Sequence, residues 1–326
     1  MTGRFVKVLK PGLETTVQEL PGRIGYWEQG FPPSGPVDSW SFRLANLLAG
    51  NERDTAALEC QFLGSTLEFP DNATVAITGA DMHPTLDGEA VPMWQTVFVR
   101  AGQVLELSAA RTGARSYVAL AGGIDTPPVL GSRAVFHMAH IGGAALKAEQ
   151  VLPLGTAPAK TAATVVKAEF RPVFTTDKTW TIECVAGPND DWLDPMSIAE
   201  FLSSDWTVQA KSSRTGIRLT GPEFRFSERA TNKRADHGQD PSNILDHGYP
   251  LGAVNLAGQT PIILINDAPS TGGFINPFTV ASAAFWKLGQ ARPGEKLRFQ
   301  AVSVEEAQAL RRQLDVKALP SSLRPL

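Results

Sequence analysis

Along most of the chain, short stretches either alternate polar and apolar residues or run apolar without a break. Residues 4–9 alternate and are closed by Pro11-Gly12, which predicts a first strand. Strand-like runs then recur at 56–62, 66–69, 74–78, 96–99, 104–108 and 116–120, separated by turn formers such as Asp71-Asn72, Asp87-Gly88 and Ala101-Gly102. Strands this short and this closely spaced predict a β-barrel or sandwich. In the second half the runs resume at 179–185, 207–210, 216–219 and 262–265, and a last one covers 297–302.

Helical spacing is confined to three places. Asp38 or Ser39 caps a first helix, with Trp40, Leu44, Leu47 and Leu48 on one face and Gly50-Asn51 at its end. Asp194 caps a second, whose first turn holds Pro195. Ser303 and Glu306 form a capping box for the third, in which Val304, Ala307, Leu310 and Leu314 share a face. Between 155 and 167 the composition shifts to Ala, Thr, Pro and Lys without periodicity. We therefore expect a first β domain over 1–154, a linker over 155–168 and a second β domain over 169–326.

Composition adds limits. The 326 residues are 43% hydrophobic and 19% charged, enough for a full core, and 29 Gly with 24 Pro favour many turns. A formal charge of −3 gives no reason to expect a nucleic-acid or acidic-membrane partner. Cys60 and Cys184 lie in apolar runs and read as buried free thiols of a reducing compartment. No apolar signal core opens the chain and no run reaches membrane-spanning length, so a cytoplasmic location is expected.

For chemistry, the chain has neither a GxxxxGK[ST] or GxGxxG phosphate loop, nor a GxSxG elbow, nor HExxH. Attention falls on Asp236 to Pro277. There an apolar run, Pro261-Ile262-Ile263-Leu264-Ile265, reads as a strand buried on both faces, followed by Asn266-Asp267-Ala268-Pro269-Ser270-Thr271-Gly272-Gly273. Polar side chains at the end of a buried strand are a common way to build a site, and an ordinary Pro/Gly loop fits the same composition. The adjacent pairs Asp236-His237 and Asp246-His247 have no regular period to align them on a metal, and none is expected. Asn243, Asp246 and Asp267 suit a small substrate bearing N–H groups, because carboxylates accept and amides both donate and accept; turn formers bonding their own backbone are the alternative. Gly272-Gly273 would let backbone N–H groups approach an anionic oxygen, or simply make a tight turn. Asp38 stands at a helix N-terminus, a place that favours anions.

A series of motifs also carries a resemblance. In order they are Gly12-Leu13-Glu14-Thr15-Thr16-Val17-Gln18, Gly22-Arg23-Ile24-Gly25, Gly35-Pro36-Val37-Asp38 and Ala45-Asn46-Leu47-Leu48-Ala49-Gly50-Asn51. Ala57-Leu58-Glu59, Ile77-Thr78-Gly79-Ala80, Arg115-Ser116-Tyr117, Ala121-Gly122-Gly123-Ile124-Asp125 and Leu130-Gly131-Ser132-Arg133 follow, with Asn266-Asp267 and Thr271-Gly272-Gly273-Phe274 in the second half. Together they resemble the KipA or allophanate-hydrolase-subunit-2 family over almost the whole chain. The segment from Asp240 to Asp246 is most similar to the urea carboxylase branch, although Asp240 and Leu245 replace histidines of that pattern.

The resemblance implies a mainly β fold of two tandem cyclophilin-like β-barrel domains with a few short helices. It implies a carboxyltransferase component that moves the carboxyl group of N-carboxybiotin to a urea- or amide-type nitrogen. A KipI-like (allophanate-hydrolase-subunit-1-like) subunit, a biotin carboxylase and a biotin carrier protein are the implied partners. No Met-Lys-Met occurs, so biotin is expected on the separate carrier and not on this chain. Asp267 and Asp246 are then assigned to orientation or proton acceptance, Asn243 to substrate or biotin binding, Ser270, Gly272 and Gly273 to an anion-binding loop, and Asp38 to the same binding set. Two other members of the family give alternatives: a subunit of an ATP-dependent 5-oxoprolinase, and a non-catalytic protein that binds a KipI-like inhibitor.

Overall fold

The computed structural model describes residues 3–159 and 161–326. The fold is mainly β, and the chain separates into two compact units. One holds residues through Ile24, Pro33–Phe174 and Leu314–Leu326; the other holds Gly25–Pro32 and Thr175–Gln313. The main change of unit thus falls at 174/175, beyond the 155–168 stretch that composition marks out. Part of that stretch is a strand, with Val165 and Val166 buried. Its alternation is too short to stand out in an Ala/Thr-rich context.

In the first unit the strands are β1 (Phe5–Lys10), β2 (Glu14–Gln18), β3 (Ala57–Gln61), β4 (Thr66–Glu68), β5 (Ala73–Asp81) and β6 (Thr85–Leu86). They continue with β7 (Glu89–Ala90), β8 (Thr96–Val99), β9 (Val104–Glu106), β10 (Thr112–Leu120), β11 (Val151–Pro153) and β12 (Thr164–Val166). Helix α1 (Ser39–Leu48) follows β2. The strands make a six-stranded sheet, β11-β1-β4-β9-β6-β7, and a five-stranded sheet, β2-β3-β10-β5-β8, while β12 pairs with Leu323–Pro325. Strand alternation sends Leu58 and Cys60 of β3, Val75 and Ile77 of β5, and Val118 and Leu120 of β10 into one apolar core with Val6, Val8, Leu67 and Leu105. The intervening residues face the other way, and several of them are polar.

In the second unit, β13 (Thr179–Ala186), β14 (Asp205–Val208), β15 (Gly216–Thr220), β17 (Ala253–Ala257), β18 (Thr260–Leu264), β20 (Phe278–Val280) and β21 (Lys296–Ala301) form a closed barrel. It closes through the parallel pairing of β13 with β21, from Thr179↔Lys296 to Cys184↔Ala301. Closure removes the exposed sheet edges that invite aggregation. Helix α2 (Pro195–Ser203), capped by the Asp194 carboxylate, brings Phe201 against Phe278 and Phe299 at ring separations of 4.1 and 4.3 Å. Helix α3 (Val304–Asp315) has its expected capping box: Ser303 N–H donates to Glu306, and Glu306 N–H donates to Ser303 Oγ.

Two further strands lie outside the barrel. β16 (Asn243–Gly248) and β19 (Thr271–Phe274) make an antiparallel ribbon with His247 opposite Gly272 and a register shift between Asn243 and His247. Tyr249 at its base packs with Ala253, Leu264 and Ala268, and with half-buried Leu251 and Ile262. β18 is therefore covered on both faces, as its unbroken apolar run predicts. Ile263 belongs to the fully buried core, and Leu264 lies in the Tyr249 cluster.

Candidate functional site

β15 and β18 pair antiparallel, with Gly216 opposite Leu264. Extending that register by two residues brings Arg214, just before β15, next to the residues that follow β18. There the Asp267 N–H donates to the Arg214 carbonyl at 3.0 Å. The side chains close the same contact: Arg214 Nε lies 2.9 Å from Asp267 Oδ2 and its Nη2 3.2 Å from Oδ1. Arg214 and Asp267 are 4% and 3% exposed. A two-point guanidinium–carboxylate contact of this kind fixes both partners, and in a low-dielectric setting neither tolerates loss of the other. Both carboxylate oxygens of Asp267 thus bond Arg214, and the pair ties the loop that follows β18 to the start of β15.

Ser270 closes the same loop, its carbonyl accepting the Tyr249 N–H at 2.8 Å. The two glycines after it differ from the expected anion-binding turn. Gly272 and Gly273 stand in strand β19, and neither has the positive φ on which a backbone nest depends. Their lack of a side chain has another cause. A Cβ at Gly272 would lie 2.6 Å from Tyr249 Cε2, and one at Gly273 would lie 2.9 Å from the Ile244 carbonyl and 3.1 Å from Asp246 Oδ1. The glycines let β19 lie flat against Tyr249 and β16.

On β16, Asp246 is exposed and Asn243 half-buried. Tyr249 Oη accepts the Phe274 N–H at 2.6 Å. Burial pushes the Tyr249 hydroxyl above its ordinary value, and the nearby Asp246 carboxylate adds to that while hydrogen bonds from Phe274 and Asn255 oppose it. Asn255 on β17 is 4% exposed, and its Oδ1 has no protein partner. Deeper in, Asn276 is fully buried with neither side-chain polar atom paired. The Asp240-Pro241-Ser242-Asn243 segment is a closed turn: Asp240 Oδ1 accepts Ser242 N–H at 2.8 Å and Ser242 Oγ at 2.7 Å, and these bonds hold its carboxyl below the usual range. Asp240 thus serves the turn. His247 Nε2 lies 3.0 Å from the Phe274 carbonyl, and His237 stacks on Trp192.

Asp38 belongs to the first unit. It is fully buried and caps α1, accepting Ser41 N–H at 2.9 Å on Oδ1 and Ser41 Oγ at 2.6 Å on Oδ2. Its own N–H donates to Tyr117 Oη at 2.9 Å, and Tyr117 donates to Glu59 at 2.8 Å. By register, Thr16, Glu59, Tyr117 and Thr78 form one row across β2, β3, β10 and β5. Arg115 approaches Glu59 at 3.5 Å and donates to Gln61 at 2.6 Å. Burial raises Tyr117 well above an ordinary phenol, with Glu59 and Asp38 adding and Arg115 opposing. Sequence reasoning missed Glu59, Arg115, Arg214 and Tyr249 as members of these networks. For the first two the available signal was a charge at an alternating position inside an apolar strand.

The comparisons with known proteins bear on this geometry. A family model described as "Carboxyltransferase domain, subdomain A and B" matches residues 29–301. The chain belongs to that family. Within this carboxyltransferase-domain family, the urea amidolyase of Saccharomyces cerevisiae is 37% identical over 320 residues, covering 95% of this chain and 17% of that protein. A 5-oxoprolinase subunit of Escherichia coli is 34% identical over 310 residues, covering 93% of both chains. The crystal structure of Kluyveromyces lactis urea carboxylase superposes with a TM-score of 0.93 at 35% identity, over 100% of this chain and 30% of that one. The chain therefore spans about a sixth of the length of the urea amidolyase it matches (17%) and nearly all of the 5-oxoprolinase subunit. Among the described residues no helix is long and apolar enough to cross a membrane.

Proposed function

We propose that this chain is the carboxyltransferase component of a biotin-dependent urea or amide carboxylase, transferring a carboxyl group from N-carboxybiotin to a urea-type nitrogen. The observation that carries the reading is the similarity to urea carboxylase along the whole chain, at a TM-score of 0.93. The polar set around the ribbon fits the group concerned. The ureido ring of N-carboxybiotin offers one N–H donor and one carbonyl, and the half-buried Asn243 on β16 carries an amide able to pair with either.

Carboxylated biotin, brought on a separate carrier protein, supplies the activated carboxyl group. Asn243 and Ser270 are the residues that would hold the ring or the acceptor, their neutral side chains binding N–H and C=O groups. Arg214, paired with Asp267, holds in place the loop that follows β18. Asp246, exposed on β16, is the carboxylate placed to take the proton that the acceptor nitrogen gives up. Gly272 and Gly273 contribute by keeping Asp246 and Tyr249 close to β19. Asp38 shapes the first unit, as the cap of α1.

A second reading, a component of an ATP-dependent 5-oxoprolinase, is favoured by the match along 93% of that enzyme's subunit. One experiment separates them. The chain is combined with a KipI-like subunit, a biotin carboxylase, a biotinylated carrier, ATP and bicarbonate, and urea, guanidine-type compounds and 5-oxoproline are supplied in turn. Urea- or guanidine-dependent ATP turnover that requires the carrier supports the carboxyltransferase. Turnover of 5-oxoproline without carrier supports the second reading. Turnover with none of them sinks both and leaves a protein that binds a KipI-like partner without catalysis.

A further inference from the structure

Lys233 lies in the excursion between β15 and β16, two residues beyond the short helix Glu228–Thr231. Its ammonium donates to the Asp240 carbonyl and, at 2.7 Å, to the Asn243 carbonyl. It also stands 5.7 Å from the centre of the Trp192 ring. Trp192 is 2% exposed and anchors the same excursion through two other groups: Arg229 at 5.6 Å, and the His237 imidazole stacked at 6.0 Å and 9°.

The two carbonyls that Lys233 grips are the two ends of the Asp240–Asn243 turn, which is closed from within by Asn243 N–H donating to Asp240 O at 2.9 Å. From Asn243 the chain enters β16 and runs on to Asp246. A lysine suits the position because its ammonium lies over the indole ring while spending separate N–H donors on separate carbonyls. Charge-assisted bonds of this kind are the stronger class. Burial lowers the Lys233 ammonium from its ordinary value, against the pull of Asp240, so the group has given up part of its water for these contacts.

We propose that Lys233 is a positioning residue that fixes Asn243 and the start of β16, and through them the placement of the acceptor-binding ribbon. The part concerning substrate rests on the functional reading above; the clamp itself does not. Lys233→Met keeps an unbranched apolar stem and removes the donors, whereas Lys233→Arg keeps charge and donors. Hydrogen–deuterium exchange of residues 240–248 is compared in the three proteins, and the acceptor KM and kcat are measured in the reconstituted set. In K233M, exchange of this segment is expected to quicken by about tenfold and the acceptor KM to rise by about tenfold, with kcat less affected. K233R is expected to restore both in part. Unchanged exchange in K233M overturns the clamp, and quickened exchange with an unchanged KM overturns its role in placing the acceptor. If the unaltered set turns over no acceptor, the carboxyltransferase reading fails while the exchange data still decide the clamp.

Discussion

Asp267 keeps both carboxylate oxygens on Arg214, so replacing it with asparagine takes that carboxylate away from a buried guanidinium. Removing one partner of a buried pair costs about 3–5 kcal/mol, more than most single substitutions. D267N is therefore expected to lower the unfolding free energy of the second unit by an amount in that range, seen as a lower urea midpoint followed by tryptophan fluorescence. A stability within about 0.5 kcal/mol of the parent would show that the pair contributes nothing. Loss of carboxyl transfer in D267N would follow from this alone, which makes it a poor test of proton transfer. Asp246 is the better one, because its side chain is exposed and its loss costs little stability.

The ribbon of β16 and β19 is an element whose residues do not ask for a strand. Asn, Asp and Gly are poor strand formers, and two adjacent glycines raise the entropy cost of ordering. What holds β19 is Tyr249, whose ring lies where a Gly272 side chain would go and whose hydroxyl accepts the Phe274 N–H. Gly272→Ala is accordingly expected to cost about 1–3 kcal/mol by overpacking and to loosen the ribbon ahead of the barrel. Faster amide exchange confined to 243–248 and 271–274 would show it. Exchange that quickens equally in β17 and β18 would mean that ribbon and barrel open together.

Each unit has its own buried core, and each contains one cysteine. Burial pushes the Cys60 thiol up, and pushes Cys184 up to about 12, with Glu183 adding to it. Because a raised pKa shrinks the thiolate fraction at every pH below it, neither cysteine is expected to react with a thiol reagent at pH 8 while the chain is folded. Both should react on unfolding. A rapid native reaction at either position would mean that its unit opens locally.

The local order of residues was enough to mark the β class, the three capped helices and the buried run before Asn266. Those features follow from periodicity and capping, which act over a few residues and are written into neighbouring side chains. It was also enough to pick out Asn243, Asp246, Asp267, Ser270 and the glycine pair as members of one region. Their roles were set elsewhere. Arg214 lies 53 residues from Asp267, and only the β15–β18 register makes them a pair. Gly272 looks like a turn until Tyr249 is seen against it. Glu59 and Tyr117 look like stray polar residues in strands until four strands align them in one row. Pairing partners, burial and the occupation of each polar atom depend on contacts between distant segments, and those exist only once the barrel and sheets have closed.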